Sequence, residues 1–176
     1  MNTTRSRSRD SENVDLGTAI QRLQQGKPEE AVDILTQLNS VSPGDIDVLV
    51  TLGGILIMLE RYEEAVVFLE EAVEIDELHS KAWINMGAAI LGNRETASPE
   101  NQIKAINAFM RAIELDPSAP SVNYNIGLIH LDRGQLGFAL EHFERAKAVE
   151  PRDRDASKYI ERIKSMLYSS KQEYEQ

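Results

Sequence analysis

Apolar residues recur along this chain at the three- and four-residue spacing of a helical stripe, in blocks cut by short polar links. The blocks "VLVTLGGILIML", "AWINMGAAIL" and "VNYNIGLIH" each carry a glycine near their centre, and each is followed by a second helical block. Gly53, Gly87 and Gly127 stand 34 and 40 residues apart. Ala31, Ala65, Ala105 and Ala139 stand 34, 40 and 34 apart, and four residues beyond each lies a bulky apolar side chain: Leu35, Leu69, Phe109 and Phe143. Proline closes three of these units, at Pro43, Pro117 and Pro151, while Glu77 takes that place in the second. The pattern predicts four antiparallel helix pairs in one register. The small residues let two helices approach closely, and the bulky ones fill the space between layers.

A single helix pair cannot bury its apolar stripe, so the pairs must stack, and the open end of the stack needs a polar-backed cover. The predicted fold class is therefore all-α, an α-solenoid of four helix hairpins plus a C-terminal capping helix. The expected units span 13–44, 46–79, 80–119 and 120–152. A capping helix is expected over 153–169, with Ala156, Tyr159, Ile160, Ile163 and Leu167 along its buried stripe. Asp155, Lys158, Glu161, Arg162 and Lys164 are expected to face away from it. The segments 1–12 and 170–176 are expected to be disordered tails. One stretch breaks the period: "GNRETASPENQ", Gly92 to Gln102, holds six extra residues between the helices of the third unit. Gly92 and Asn93 suit a helix end, and Ser98-Pro99-Glu100 suits a helix start, so part of the insertion is expected to lengthen the second helix.

These residues resemble the tetratricopeptide repeat. The third unit carries Trp83, Met86, Gly87, Ile90, Ala105, Phe109, Ala112 and Pro117; the second carries Leu49, Leu52, Gly53, Leu56, Tyr62, Ala65, Leu69 and Ala72. The fourth carries Ile126, Gly127, Gly134, Ala139, Phe143, Ala146 and Pro151. The first departs from the pattern, with Ala19 for the glycine and Asp15 where an aromatic is usual, and the resemblance covers residues 13–152. It implies a right-handed superhelix whose inner face binds a partner. Taking each repeat glycine as the origin, the positions three before, two before, one after and four after turn toward that face. They hold Val50, Ile84 and Tyr124; Thr51, Asn85 and Asn125; Gly54, Ala88 and Leu128; and Ile57, Leu91 and Leu131. The first unit adds Leu16, Ile20 and Leu23.

The expected binding surface is thus apolar with a polar row through it, suited to a peptide segment or amphipathic helix of another protein. Asn85 and Asn125 match an asparagine ladder that some members of the family use to hold extended peptide, and Thr51 departs from it. The family's lysine–asparagine–arginine clamp for chaperone tails does not fit. Its positions would fall on Val50, Gly54, Asn85, Ser121 and Asn125, or on Leu16, Ile20, Thr51, Lys81 and Asn85. The reading is a non-enzymatic interaction scaffold or adaptor. The alternatives are an assembly chaperone, like photosystem-assembly or type III secretion chaperones, or a scaffold that self-assembles into a homo-oligomer.

Composition narrows the classes further. A net charge of -10 disfavours nucleic acid. No apolar run is long enough for membrane insertion, cysteine is absent, and a cytoplasmic location is the expectation. His79, His130 and His142 show no metal-ligand spacing and no phosphate loop or nucleophile elbow is present, so neither metal, cofactor nor catalysis is expected. The acid-rich "ERYEEAVVFLEEAVEIDE" reads as a solvated outer face. His130 reads as a hydrogen-bonded residue of the packing layer, and Asn123, which stands where the third unit has Trp83, predicts a looser fourth unit.

Overall fold

The computed structural model describes residues 15–174. Within them the chain forms helices α1 (Leu16–Gln24), α2 (Pro28–Val41), α3 (Ile46–Met58), α4 (Tyr62–Ile75), α5 (Ser80–Leu91), α6 (Pro99–Leu115), α7 (Pro120–Asp132), α8 (Leu136–Val149) and α9 (Arg154–Tyr174). Consecutive helices pack on one another throughout, and α3 also lies against α5, as an all-α solenoid requires. Side chains cap several of the helix starts. Asp15 accepts from the Thr18 amide at 2.7 Å, Asp45 from Asp47 and Val48, and Ser98 from Asn101 at 3.1 Å. In the unit that lacks its closing proline, the Trp83 indole donates to the Glu77 carbonyl at 2.9 Å and ties the turn to α5.

The core is the set of crossings that the glycines permit. A Cβ on Gly53 would sit 2.6 Å from Leu69, and one on Gly87 would sit 2.6 Å from two ring carbons of Phe109. Leu69 and Phe109 are both fully buried. The three-residue turns between paired helices also need a left-handed residue, supplied by Gly26 (φ 73°) and Gly134 (φ 69°). In the second unit that position is Glu60 (φ 59°), among the described residues the one non-glycine with positive φ. Replacing Glu60 with glycine is expected to stabilise the protein by about 0.5–1 kcal/mol, because relief of the left-handed penalty exceeds glycine's entropy cost. An unchanged or lower midpoint in urea would show that the turn is not strained.

The insertion divides between helix and loop. The second helix of the third unit, α6, has 17 residues where α2, α4 and α8 have 14, and its three added residues precede the Ala105 register. The remainder forms the 92–98 link, which leaves α5 through Gly92 at φ 58°.

Two expectations are corrected. The capping helix does not stop at 169 but continues to Tyr174, because "KSMLYSSKQEY" contains neither glycine nor proline to end it. The expected disordered stretch 170–176 is therefore helical as far as Tyr174; residues 1–14 and 175–176 lie outside the described residues. Nor is the fourth unit opened by Asn123. That side chain is 4% exposed and packs a polar pair into the helix crossing, with His142 Nδ1 at 3.1 Å from its Oδ1. A small hydrogen-bonded pair across α7 and α8 replaces the indole of the unit before.

Candidate functional site

The first helices of the hairpins carry the residues expected to line the groove, on α3 (Val50, Thr51, Gly54, Ile57), α5 (Ile84, Asn85, Ala88, Leu91) and α7 (Tyr124, Asn125, Leu128, Leu131). Val50 is buried, and its side chain is out of reach of a ligand. The others are half-buried. Each therefore meets its neighbours on one side and presents surface on the other. Ile84, Ala88 and Leu91 pack beside the cluster of Phe109, Val122 and Ile126, while Tyr124, Leu128 and Leu131 pack beside Phe143, Ile160 and Ile163.

The asparagine row splits into two roles. Asn85 Nδ2 donates to the Val50 carbonyl at 3.2 Å, and a Cβ on Gly54 would lie 3.3 Å from the same nitrogen. That amide fastens α5 to α3. Asn125 is half-buried and makes no hydrogen bond among the described residues, so both ends of its amide remain open to a ligand backbone. Thr51 completes the row without an amide.

The helix expected only to cap the stack also lines this face. Lys158, Tyr159 and Arg162 follow Tyr124, Asn125 and Leu128 by one repeat length of 34 residues, so α9 occupies the place of a fifth first helix. The Tyr159 ring stacks on Phe143 at 4.8 Å and 6°, and Tyr124 meets both rings edge-on, at 5.5 Å from Phe143 and 6.0 Å from Tyr159. Burial pushes the Tyr124 hydroxyl up from its ordinary pKa, helped by Tyr159 and by the carboxylates of Asp155 and Asp153. A cleft of about 380 Å³ opens between the helices, lined by Tyr124, Asp155, Lys158, Tyr159 and Arg162. Lys158 and Arg162 are exposed, away from the buried stripe as expected, and both line this cleft. Continuing the repeat register one unit past Gly127, to Glu161, would have found them.

At the other margin the insertion is tied down. Arg94 Nη1 reaches both carboxylate oxygens of Asp132 at 2.6 Å, and Arg133 Nη1 donates to Gln102 Oε1 at 3.3 Å. The link thus leans on the C-terminal end of α7, beside Leu131.

The histidines serve the fold. His79 Nδ1 accepts from the Ala82 amide at the start of α5. His130 Nδ1 lies 2.7 Å from Gln135 Oε1 and its ring stacks on His142 at 5.5 Å. Burial first, then His130 and Arg145, lowers the pKa of His142 to about 4 against a smaller opposing effect of Glu141. Among the described residues no three His, Cys, Asp or Glu side chains gather into a metal-holding group, and no helix is long and apolar enough to cross a membrane.

Two stretches of the chain, 22–90 and 104–157, match the family described as tetratricopeptide repeat. The peroxisomal targeting signal receptor of Candida glabrata is 22% identical over 143 residues, covering 81% of this chain. Human protein O-mannosyl-transferase TMTC3 is 25% identical over 114 residues, covering 64% of this chain. The matched region is only 22% and 12% of those two proteins' lengths. Among solved structures, MamA (41-end) from Desulfovibrio magneticus RS-1 superposes with a TM-score of 0.75 at 20% identity, over 90% of this chain and 86% of that one. YrrB, described as a TPR protein with an unusual peptide-binding site, superposes with a TM-score of 0.69 at 24% identity, over 80% and 69% of the two chains. At these identities the structural likeness establishes the fold.

Proposed function

This chain belongs to the tetratricopeptide repeat family, and from that premise we propose that it is an interaction scaffold whose inner face captures a segment of another protein. One observation carries the reading. Along α3, α5 and α7 a row of half-exposed apolar side chains runs beside the Asn125 amide, which no group among the described residues uses. Apolar contacts of this kind supply affinity, and an open amide can pair with the backbone of an extended ligand. The likeness to YrrB, itself described as having a peptide-binding site, is consistent with such a use.

The test separates binding from folding. Ala88→Arg places a long cation in the groove while its stem can lie along the apolar surface, and Asn125→Ala removes the open amide. Both are expected to melt within a few degrees of the parent and to lose, in affinity purification with quantitative mass spectrometry, the proteins that the parent retains. Asn85→Ala is expected to cost about 1 kcal/mol of stability, because it breaks the bond to the Val50 carbonyl. Full retention of the parent's interactors by Ala88→Arg would place binding elsewhere on the molecule.

A further inference from the structure

The groove changes character at its C-terminal end. From α3 to α7 its lining is uncharged, but at α9 the corresponding rows hold Lys158, Tyr159 and Arg162. We propose that this end is a subsite for an aspartate or glutamate side chain of the captured segment, held by Arg162 with Lys158 beside it and bedded against Tyr124 and Tyr159. The proposal rests on the groove reading above and adds to it the charge and the position of one ligand residue.

Charge is the first ground. Arg61, Arg94, Arg111 and Arg145 each meet a carboxylate of the fold. Arg162, which lines the cleft, makes no hydrogen bond or ion pair among the described residues. Its guanidinium fork matches a carboxylate in shape and offers paired donors. Lys158 is held at 2.9 Å by Asp155, the one acid in this cleft's lining, while Glu150 and Asp153 line the adjoining hollow on the other side of Tyr124. The chain as a whole carries a net charge of -10, which disfavours acidic segments elsewhere on its surface. An acid accepted at this end would therefore discriminate between ligands as well as bind them.

Packing is the second ground. Tyr159 is stacked on Phe143, and Tyr124 is wedged edge-on against both, so the cleft has a fixed aromatic wall. Such a wall excludes water from one side of an ion pair and strengthens it. Lys158 and Arg162 are both exposed, so the cleft is open to solvent and a segment bound there need not end in it.

Random peptides displayed on phage, selected on the full chain and on its Arg162→Glu and Ala88→Arg variants, test this, with the enriched sequences resynthesised for fluorescence anisotropy. The expected parent peptides carry Asp or Glu at one end of an apolar core. They should bind Arg162→Glu about tenfold more weakly, regain affinity for it when the acid is exchanged for lysine, and be indifferent to C-terminal amidation. Peptides without an acidic bias, or equal affinity for Arg162→Glu, would overturn the subsite while loss of binding to Ala88→Arg upheld the groove. Loss on amidation would also overturn it, in favour of a terminal carboxylate. Undiminished binding to Ala88→Arg, or no enrichment on the parent, would remove both readings together.

Discussion

Truncating Phe109 to alanine is expected to lower the unfolding free energy by about 4 kcal/mol, the usual scale for emptying a fully buried aromatic site. Phe109 is 0% exposed and sits among Ala105, Ala112, Ala119, Val122, Ile126 and Ile129, joining the third helix pair to the first helix of the fourth. The ring also explains Gly87. A methyl there would stand 2.6 Å from two of its carbons, inside any real contact distance. Alanine would gain about 1 kcal/mol of helix propensity, yet overpacking a rigid site costs about 1–3 kcal/mol. Gly87→Ala is therefore expected to be a net loss of up to about 2 kcal/mol. In the Phe109→Ala background the clash is gone and the same change should become neutral or stabilising. Chemical denaturation of the four chains of this double-mutant cycle checks it. Additive effects would mean that the glycine is not there to admit the ring. Because α5 carries Ile84, Asn85, Ala88 and Leu91, loosening this crossing should also weaken partner binding with no groove residue changed.

Acid should destabilise the chain through His142. The side chain is 7% exposed, its imidazole donates to Asn123, and its pKa lies at about 4 in the fold against an ordinary value near 6.5. A depressed base means that the unfolded chain takes up the proton first, so stability falls as pH drops from about 6.5 toward 4. By pH 5 the loss amounts to about 2 kcal/mol. The carboxylates held below their ordinary range, such as Glu30, Glu64 and Glu100, give up their stabilisation only on further acidification, so the window between pH 6.5 and 5 isolates the histidine. His142→Gln offers Asn123 an amide donor that does not titrate. Its stability should change about 2 kcal/mol less than the parent's across that window in urea titrations. Parallel pH profiles for the two proteins would show that His142 does not set the acid response.

Most of the helix architecture could be read from the chain, because each element is dictated by local spacing. The glycine, alanine and bulky apolar anchors marked the helix pairs, and the structure then set Leu69 against Gly53 and Phe109 against Gly87. The six-residue excess after Gly92 was equally visible as a break in register. So was its division, since the Ser98 cap and Pro99 start mark where three of the residues join α6. The end of α9 was missed because no such signal marks it. Helix propagation there follows the absence of a breaker, while the buried stripe that was followed fades near Leu167, which is 38% exposed.

The groove shows where local pattern stops. Angles on a helix identify which side chains share a face, and they placed the apolar rows and the two asparagines. Whether an amide is already bonded depends on the distance between two helices, and only the stack put Asn85 on the Val50 carbonyl while leaving Asn125 open. The same holds for Asn123, read as a defect until His142, 19 residues away in the chain, supplied its partner. Repeat spacing alone carried the family and the order of helices, because each helix pair depends on contacts within a few tens of residues. The use of each polar side chain was decided by tertiary packing. A polar group's role is set by whatever the rest of the fold brings within hydrogen-bonding reach.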